Sequence, residues 1–308
     1  MKKILWIFQA AGILIVFFPF SFLPVGLGGP LGVLLFHAWR SRRRIAIDNL
    51  MKSVELNALS LSESPEEIIK ESFRNLGQSF IEIVKIYYGR GNRIVEEVVV
   101  RGKENVISAN AKGKGVIFIT GHCGNWELMA IASSFMGFPV AVVARALNNP
   151  YLNKLLEMAR ARFGNRIVYK RGALRDVILN LNDGGGIGIL MDQAIVPREG
   201  YVIDFLGRGA WTTKVPSLIA RKTGAPVLPV FIRRVGKSHE ITIHPEVTLS
   251  SNSVHEDAVK NDTRVFSAFI EEYIRENPSQ WLWLHRRWKR TGQVGRERPE
   301  TAMAKETI

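Results

Sequence analysis

The sequence predicts an α/β fold, a largely parallel sheet flanked by helices, with an N-terminal membrane-anchoring helix in front of it. Two observations carry this. No charged residue occurs from Ile4 to Trp39, and from about residue 98 short β-rich runs alternate with amphipathic stretches. The length of 308 residues suits one large α/β domain or two small ones, and 46% hydrophobic content is ordinary for a folded core.

The anchor comes first. Ile4 to Leu23 has about the length that crosses a hydrocarbon core as a helix. Pro19, Pro24 and Pro30 then predict a stop or kink, followed by a second apolar stretch, Leu31 to Trp39, lying against the bilayer. A secretory signal peptide shares the basic start, but here the apolar character runs on to Phe36 without a small-x-small cleavage site. Arg40, Arg42, Arg43 and Arg44 outweigh Lys2 and Lys3, which places the following domain in the cytoplasm. The chain thus divides into residues 1–44 (anchor and basic flank), 45–290 (the folded domain) and 291–308, a polar tail expected to be disordered.

The elements of the domain follow in order. Ser64-Pro65-Glu66-Glu67 reads as an N-cap, a first-turn proline and a capping-box glutamate, opening a helix whose apolar positions recur from Ile69 to Tyr87. The β-rich runs are Val116–Thr120, Val140–Ala144, Arg166–Tyr169, Gly188–Met191, Val227–Arg233 and Glu240–His244. Between them, helices are predicted from Pro150, closed by Gly164; over Leu174 to Leu181, closed by Gly184; and from about Lys214, closed by Gly224. A last helix spans about Ala258 to Arg275. Strand–helix alternation of this kind argues for parallel strands covered on both faces.

Composition narrows the function. A net charge of +14 favours an acidic partner: nucleic acid, an anionic membrane, or an acidic carrier or substrate. The single cysteine, Cys123, excludes a disulfide framework within the chain and a thiolate zinc site.

The chemistry concentrates in Val116-Ile-Phe-Ile-Thr-Gly-His-Cys-Gly-Asn-Trp-Glu127. A buried strand runs into a tight turn and a helix starts near Asn125, so His122 lies at the C-terminal edge of the sheet, where open α/β folds assemble their sites. Glu127 falls in the first helical turn, where the helix dipole favours its ionised form. The pattern supports general-base catalysis: His122 takes a proton from an attacking hydroxyl and Glu127 fixes its tautomer and steadies the imidazolium. The competing reading is a histidine that caps a turn beside an ordinary helix-start acid. Cys123 is expected to be a small packed residue.

The ordered motifs resemble the late lipid A biosynthesis acyltransferases, the lauroyl/myristoyl transferase family of Gram-negative bacteria. They are Gly121-His122 with Asn125-Trp126-Glu127, Arg145-Ala-Leu-Asn148-Asn149-Pro150, Gly188-Ile-Leu-Met-Asp192-Gln193, Val202-Ile-Asp-Phe205-Leu-Gly207 with Thr212-Thr213, and Trp283-Leu-His285-Arg286-Arg287-Trp288-Lys289. The resemblance covers roughly residues 1 to 290 and implies a glycerolipid acyltransferase-like fold. It further implies acyl transfer from acyl-acyl carrier protein, or acyl-CoA, to a glycolipid (lipid A precursor) hydroxyl. The setting implied is the cytoplasmic face of the bacterial inner membrane, with neither metal nor cofactor and no nucleic-acid partner. Glutamate at position 127, where the broader glycerolipid superfamily usually carries aspartate, resembles the lipid A branch and its mannoside-acylating relatives.

Substrate-binding candidates are Arg145 and Asn148, Asp192 and Gln193 at a strand end, Thr212, and Arg171. Arg145 is read as a phosphate or oxyanion ligand, or a satisfied helix-start arginine. Asp192 and Gln193 are read as orienting the acceptor or Arg145, or as a turn-forming pair. Thr212 and Thr213 most simply cap a helix, the sharper reading being that they bind an acceptor phosphate at its N-terminus. Arg160, Arg162, Arg166, Lys170, Arg171 and Arg175 form a basic run suited to an acidic carrier protein, or a solvated face. Trp281, Trp283 and Trp288, interleaved with basic residues, are expected at a membrane interface, though nucleic-acid stacking uses the same residues. Three rivals remain: the same chemistry on another lipid acceptor (lysophosphatidate, a phosphatidylinositol mannoside or an amino-acid lipid), a metal-dependent hydrolase using His122, Glu127 and Asp192, and a non-catalytic membrane-tethered binding protein.

Overall fold

A computed structural model describes residues 2–144, 148–161, 163–169, 173–250 and 255–291. The N-terminal apolar run folds as helix α1 (Lys2–Phe17), two short 3₁₀ turns (Pro19–Phe22 and Val25–Leu27) and helix α2 (Gly28–Ala38). Leu5–Phe22 has the length and apolarity of a membrane span, with a mean hydropathy of 2.0 and only 11% of it buried. Helix α2, expected from the sequence to lie against the bilayer, makes a close contact with the folded domain. It packs on α4 (Pro65–Tyr87) through glycines: a Cβ on Gly32 would sit 2.0 Å from the Phe73 carbonyl oxygen, and one on Gly77 2.1 Å from that of Gly28. Phe36 is buried in this contact while Leu34 and Leu35 face outward. Helix α3 (Arg40–Glu55) then leads into α4, where the Ser64 side chain accepts from the Glu67 N–H, the expected cap.

A seven-stranded sheet forms the body. Its strands are β1 (Val99–Arg101), β2 (Val116–Thr120), β3 (Val140–Ala144), β4 (Arg166–Tyr169), β5 (Gly186–Leu190), β8 (Val227–Val235) and β9 (Ser238–Ile243), in spatial order β1-β9-β8-β2-β5-β3-β4. All neighbours are parallel except β8 and β9. A separate antiparallel hairpin joins β6 (Gly200–Phe205) to β7 (Arg208–Thr213). The helices between are α5 (Asn92–Glu96), α6 (Lys103–Asn110), α7 (Trp126–Phe135), α8 (Pro150–Ala161), α9 (Ala173–Asn182), α10 (Val215–Thr223) and α11 (Glu256–Glu276).

Each sheet face has its own core, because successive strand side chains point to opposite sides. On one face Ile117, Ile119, Ile187, Ile189 and Phe231 pack against α9, α10 and α11 and against side chains from α2, α3 and α4. On the other, Val116, Phe118, Val140, Val230 and Ile241 meet α5, α6 and α7. The α/β class and mostly parallel sheet are as the sequence predicts. The short β1, the helices α5 and α6, and the β6–β7 hairpin are additions. The expected disordered tail lies outside the described residues, apart from its first residue, Thr291.

Trp281 and Trp283 are corrections to the sequence reading. They are 2% and 0% exposed, and their rings meet edge to face at 4.7 Å inside the core, away from any membrane interface. Their register at helix-free, arginine-rich chain looks interfacial in sequence, but here that chain threads between α4 and the β6–β7 hairpin. The Asn49 amide donates to the carbonyls of Trp283 and His285, and the Ser72 hydroxyl donates to that of Trp281.

Candidate active site

The turn after β2 delivers His122, and the end of β5 delivers Asp192 beside it, two adjacent parallel strands opening at the same edge. His122 Nδ1 lies 2.7 Å from Asp192 Oδ1, and the His122 backbone N–H donates to Asp192 Oδ2 at 2.8 Å. The Trp281 indole N–H donates to the same Oδ2 at 2.8 Å. The buried carboxylate is thus held by three donors. Burial alone would raise its pKa, but the imidazole and these hydrogen bonds drive it well below the usual carboxylate range. Burial likewise opposes a charged His122, yet the Asp192 charge and hydrogen bond, with a contribution from Glu127, raise its pKa above the ordinary 6.5.

The other ring nitrogen faces outward. The exposed Gln193 amide Nε2 lies 2.9 Å from His122 Nε2. An ionised carboxylate only accepts, so Nδ1–H points at Asp192, and in the neutral ring Nε2 is the accepting nitrogen. This is the tautomer a general base requires.

Glu127 is elsewhere engaged. The Arg160 Nη2 donates to its Oε1 at 2.9 Å, and Tyr87 joins the pair. The carboxylate bonded to the imidazole is Asp192, whereas Glu127, expected there from the sequence, bonds to Arg160. The Glu127 charge adds to the effects that raise the His122 pKa. Sequence spacing hid this because Asp192 is seventy positions away, brought close only by β2–β5 pairing.

A buried network fixes the helix that carries Glu127. Asn125, the N-cap of α7, accepts from the Leu128 N–H and donates its amide to Glu82 Oε2 at 2.9 Å. Glu82 on α4 also accepts from Arg234 Nη1 at 2.6 Å and pairs with His239 Nε2 at 3.0 Å. Burial pushes the Glu82 pKa up, but these partners hold it at about 2. Glu82, Arg234 and His239 were not legible as site support, since Glu82 on α4 lies 152 positions before Arg234, which faces His239 across the β8–β9 pair.

His122, Glu127, Arg160 and Gln193 all line a cavity of about 330 Å³. Its remaining wall is mainly apolar, with Phe118, Met129, Met136, Val142, Leu190 and Ile241 among the lining residues. Arg160 therefore belongs to the site and not to an exposed carrier-binding face. Arg166 donates to Asn180, and Arg175 is exposed on α9. Arg145, Arg162, Lys170 and Arg171 lie outside the described residues. Asn148 is exposed and away from the cavity wall; its neighbour Asn149 donates to the Trp6 carbonyl of α1 at 3.2 Å. Thr212 does not reach the cavity either. It is fully buried, donating to the Ala210 carbonyl and accepting from Arg287, while Thr213 accepts from the Val215 N–H at the start of α10. Arg287 also donates to the Gln193 carbonyl at 3.1 Å, tying the terminal motif to the residue on His122. Cys123 is 1% exposed, and burial pushes its thiol pKa well up, as suits a packing residue. Among the described residues, no group of three or more His, Cys, Asp or Glu is placed to hold a metal ion.

A family profile described as bacterial lipid A biosynthesis acyltransferase matches residues 1–290. The chain belongs to that family. It is an acyltransferase. A lipid A biosynthesis acyltransferase of Haemophilus influenzae is 24% identical over 88% of this chain and 83% of its own length. The lipid A biosynthesis lauroyltransferase of Escherichia coli is 27% identical over 85% and 84%. A phosphatidylinositol mannoside acyltransferase of Mycolicibacterium smegmatis is 25% identical over 74% of each.

Proposed function

We propose that this acyltransferase moves a fatty acyl chain from acyl-acyl carrier protein, or acyl-CoA, to a hydroxyl of a lipid A precursor. The observation that carries the reading is an Asp192-bonded His122 at the wall of a mainly apolar cavity of about 330 Å³. The thioester carbonyl lies beside His122 with its chain in the cavity. The acceptor hydroxyl takes the place of the Gln193 amide on Nε2 and gives up its proton there as its oxygen attacks the carbonyl carbon. The C–O bond forms, the C–S bond breaks, and the imidazolium returns the proton to the departing thiolate. Asp192 holds the tautomer and stabilises the imidazolium, and the Glu127 charge, fixed by Arg160, favours the same protonated state. Segment Leu5–Phe22 anchors the chain in the bacterial inner membrane, with Arg40 to Arg44 holding the domain at the cytoplasmic face. The names of the relatives support lipid A as the acceptor class, and the mannoside relative makes a phosphatidylinositol mannoside the natural comparison acceptor.

The test uses the purified full chain in lipid vesicles with each donor and each acceptor, and mass spectrometry of the lipid product. One added acyl group on the lipid A precursor is expected, lost by about 10³-fold or more in His122→Ala. Acylation of the mannoside alone would move the acceptor assignment, and a folded His122→Ala variant with near-native turnover would remove the general base.

A further inference from the structure

One wall of the cavity lacks a side chain at a central strand position, Gly188. Strand β5 reads Gly186-Ile187-Gly188-Ile189-Leu190, so its alternation sends both isoleucines to the solid core and both glycines to the cavity side. Glycine inside a central strand forfeits packing and costs backbone entropy, so it needs a reason. At Gly188 the reason is not backbone conformation, because it is absent from the positive-φ glycines of the chain. Nor is it crowding: a Cβ built there meets nothing within 4 Å. Gly186 differs, since its Cβ would sit 3.1 Å from the Phe118 ring and 3.3 Å from Val140. The Phe118 ring covers Gly186, and the open volume begins at Gly188.

Register places Gly188 in the middle of the cavity wall. It pairs with Phe118 of β2 on one side and Val142 of β3 on the other, both lining the cavity. Asp192 lies four residues on, two beyond the end of β5, at most about 13 Å away at roughly 3.3 Å per extended residue. An acyl chain whose carbonyl sits at His122 therefore reaches the wall near Gly188 some way down its length, beyond the reacting carbons.

We propose that Gly188 is a chain-length determinant: its missing side chain sets how long an acyl group the cavity accepts. The inference rests on the acyltransferase reading above and adds to it the residue that grades the donor. Substituting a larger side chain removes space for the distal methylenes while leaving His122, Asp192, Glu127 and Arg160 in place. One methylene in an apolar pocket discriminates by about 10–200-fold, so even a methyl at this wall has a readable effect.

The experiment gives wild type, Gly188→Ala, Gly188→Val and the double variant Gly188→Ala/Val142→Ala a mixture of saturated acyl-carrier donors of graded length. Product chain lengths are read by mass spectrometry of the acylated lipid A precursor. Gly188→Ala is expected to lower the ratio of longest to shortest accepted chains by about tenfold, and Gly188→Val by more. The double variant, which removes two methyls from the neighbouring strand, is expected to regain longer chains. Thermal melts of Gly188→Ala should show a Tm no lower than wild type, since the added Cβ enters open space. The wild-type length profile retained in Gly188→Val, or a uniform loss across all lengths that the double variant does not relieve, would overturn the proposal. Wild type inactive with every donor would instead overturn the proposed donor and lipid A acceptor on which it stands.

Discussion

The two faces of the sheet are built from the same strands and yet one is solid and the other hollow. Alternate residues of β2 and β5 supply Ile117, Ile119, Ile187 and Ile189 to one face, none more than 6% exposed and all closed over by helices. The other face receives Phe118, Thr120, Gly188 and Leu190, and there the layer of α6 and α7 leaves a cavity beside His122. The solid face is the ordinary outcome of a parallel sheet buried on both sides. The hollow one departs from close packing, and interiors seldom leave such space unless something else occupies it. The comparison teaches that a binding volume can be written into a strand by period-two omission without disturbing the fold around it.

The comparison breaks most readily at the polar rim. Glu127→Gln and Arg160→Met each take one charge from a pair that lines only the hollow face. Each is expected to lower kcat for acyl transfer by about 10²-fold or more, with little change in Tm. A drop in Tm with kcat preserved would make the pair structural. A smaller effect sharpens the contrast. Ile187→Ala on the solid face should cost about 2–5 kcal/mol in denaturant unfolding, because Ile187 is fully buried and its neighbours cannot collapse into the gap. Val142→Ala on the hollow face should cost about 1 kcal/mol or less, since its side chain already borders open space. Equal losses at the two positions would deny that the faces differ in packing.

Much of this architecture was legible in the sequence, and the parts that were not share a cause. β2, β3 and β4 match their predicted spans because each is a short apolar run bounded by turn residues. β1 is three residues long and β6–β7 carries mixed polarity, so neither gives a periodic signal. In the site, His122 stood out through its strand–turn–helix junction, and Asp192 and Gln193 through a strand end. Their mutual geometry was hidden. The carboxylate five positions away is drawn off by Arg160, whereas the one seventy positions away is paired by strand register. Likewise the tryptophans read as interfacial because local composition carries no information on burial. Trp281 is in fact one of the donors that hold Asp192.

The division of labour between the two carboxylates can be read from the pH dependence of kcat/KM, which reports ionisations of the free enzyme. A general base must be unprotonated, so activity falls as pH drops through the pKa of His122. The Asp192 charge and hydrogen bond raise that pKa against the opposing effect of burial, so the wild-type midpoint is expected above 6.5. Asp192→Asn keeps the shape but removes the charge and disrupts the tautomer. It should move the midpoint down and lower the plateau by about 10⁴-fold, while Glu127→Gln, remote from Nδ1, should move the midpoint less. An unchanged midpoint in Asp192→Asn together with a large downward shift in Glu127→Gln would contradict the account and return the orienting role to Glu127.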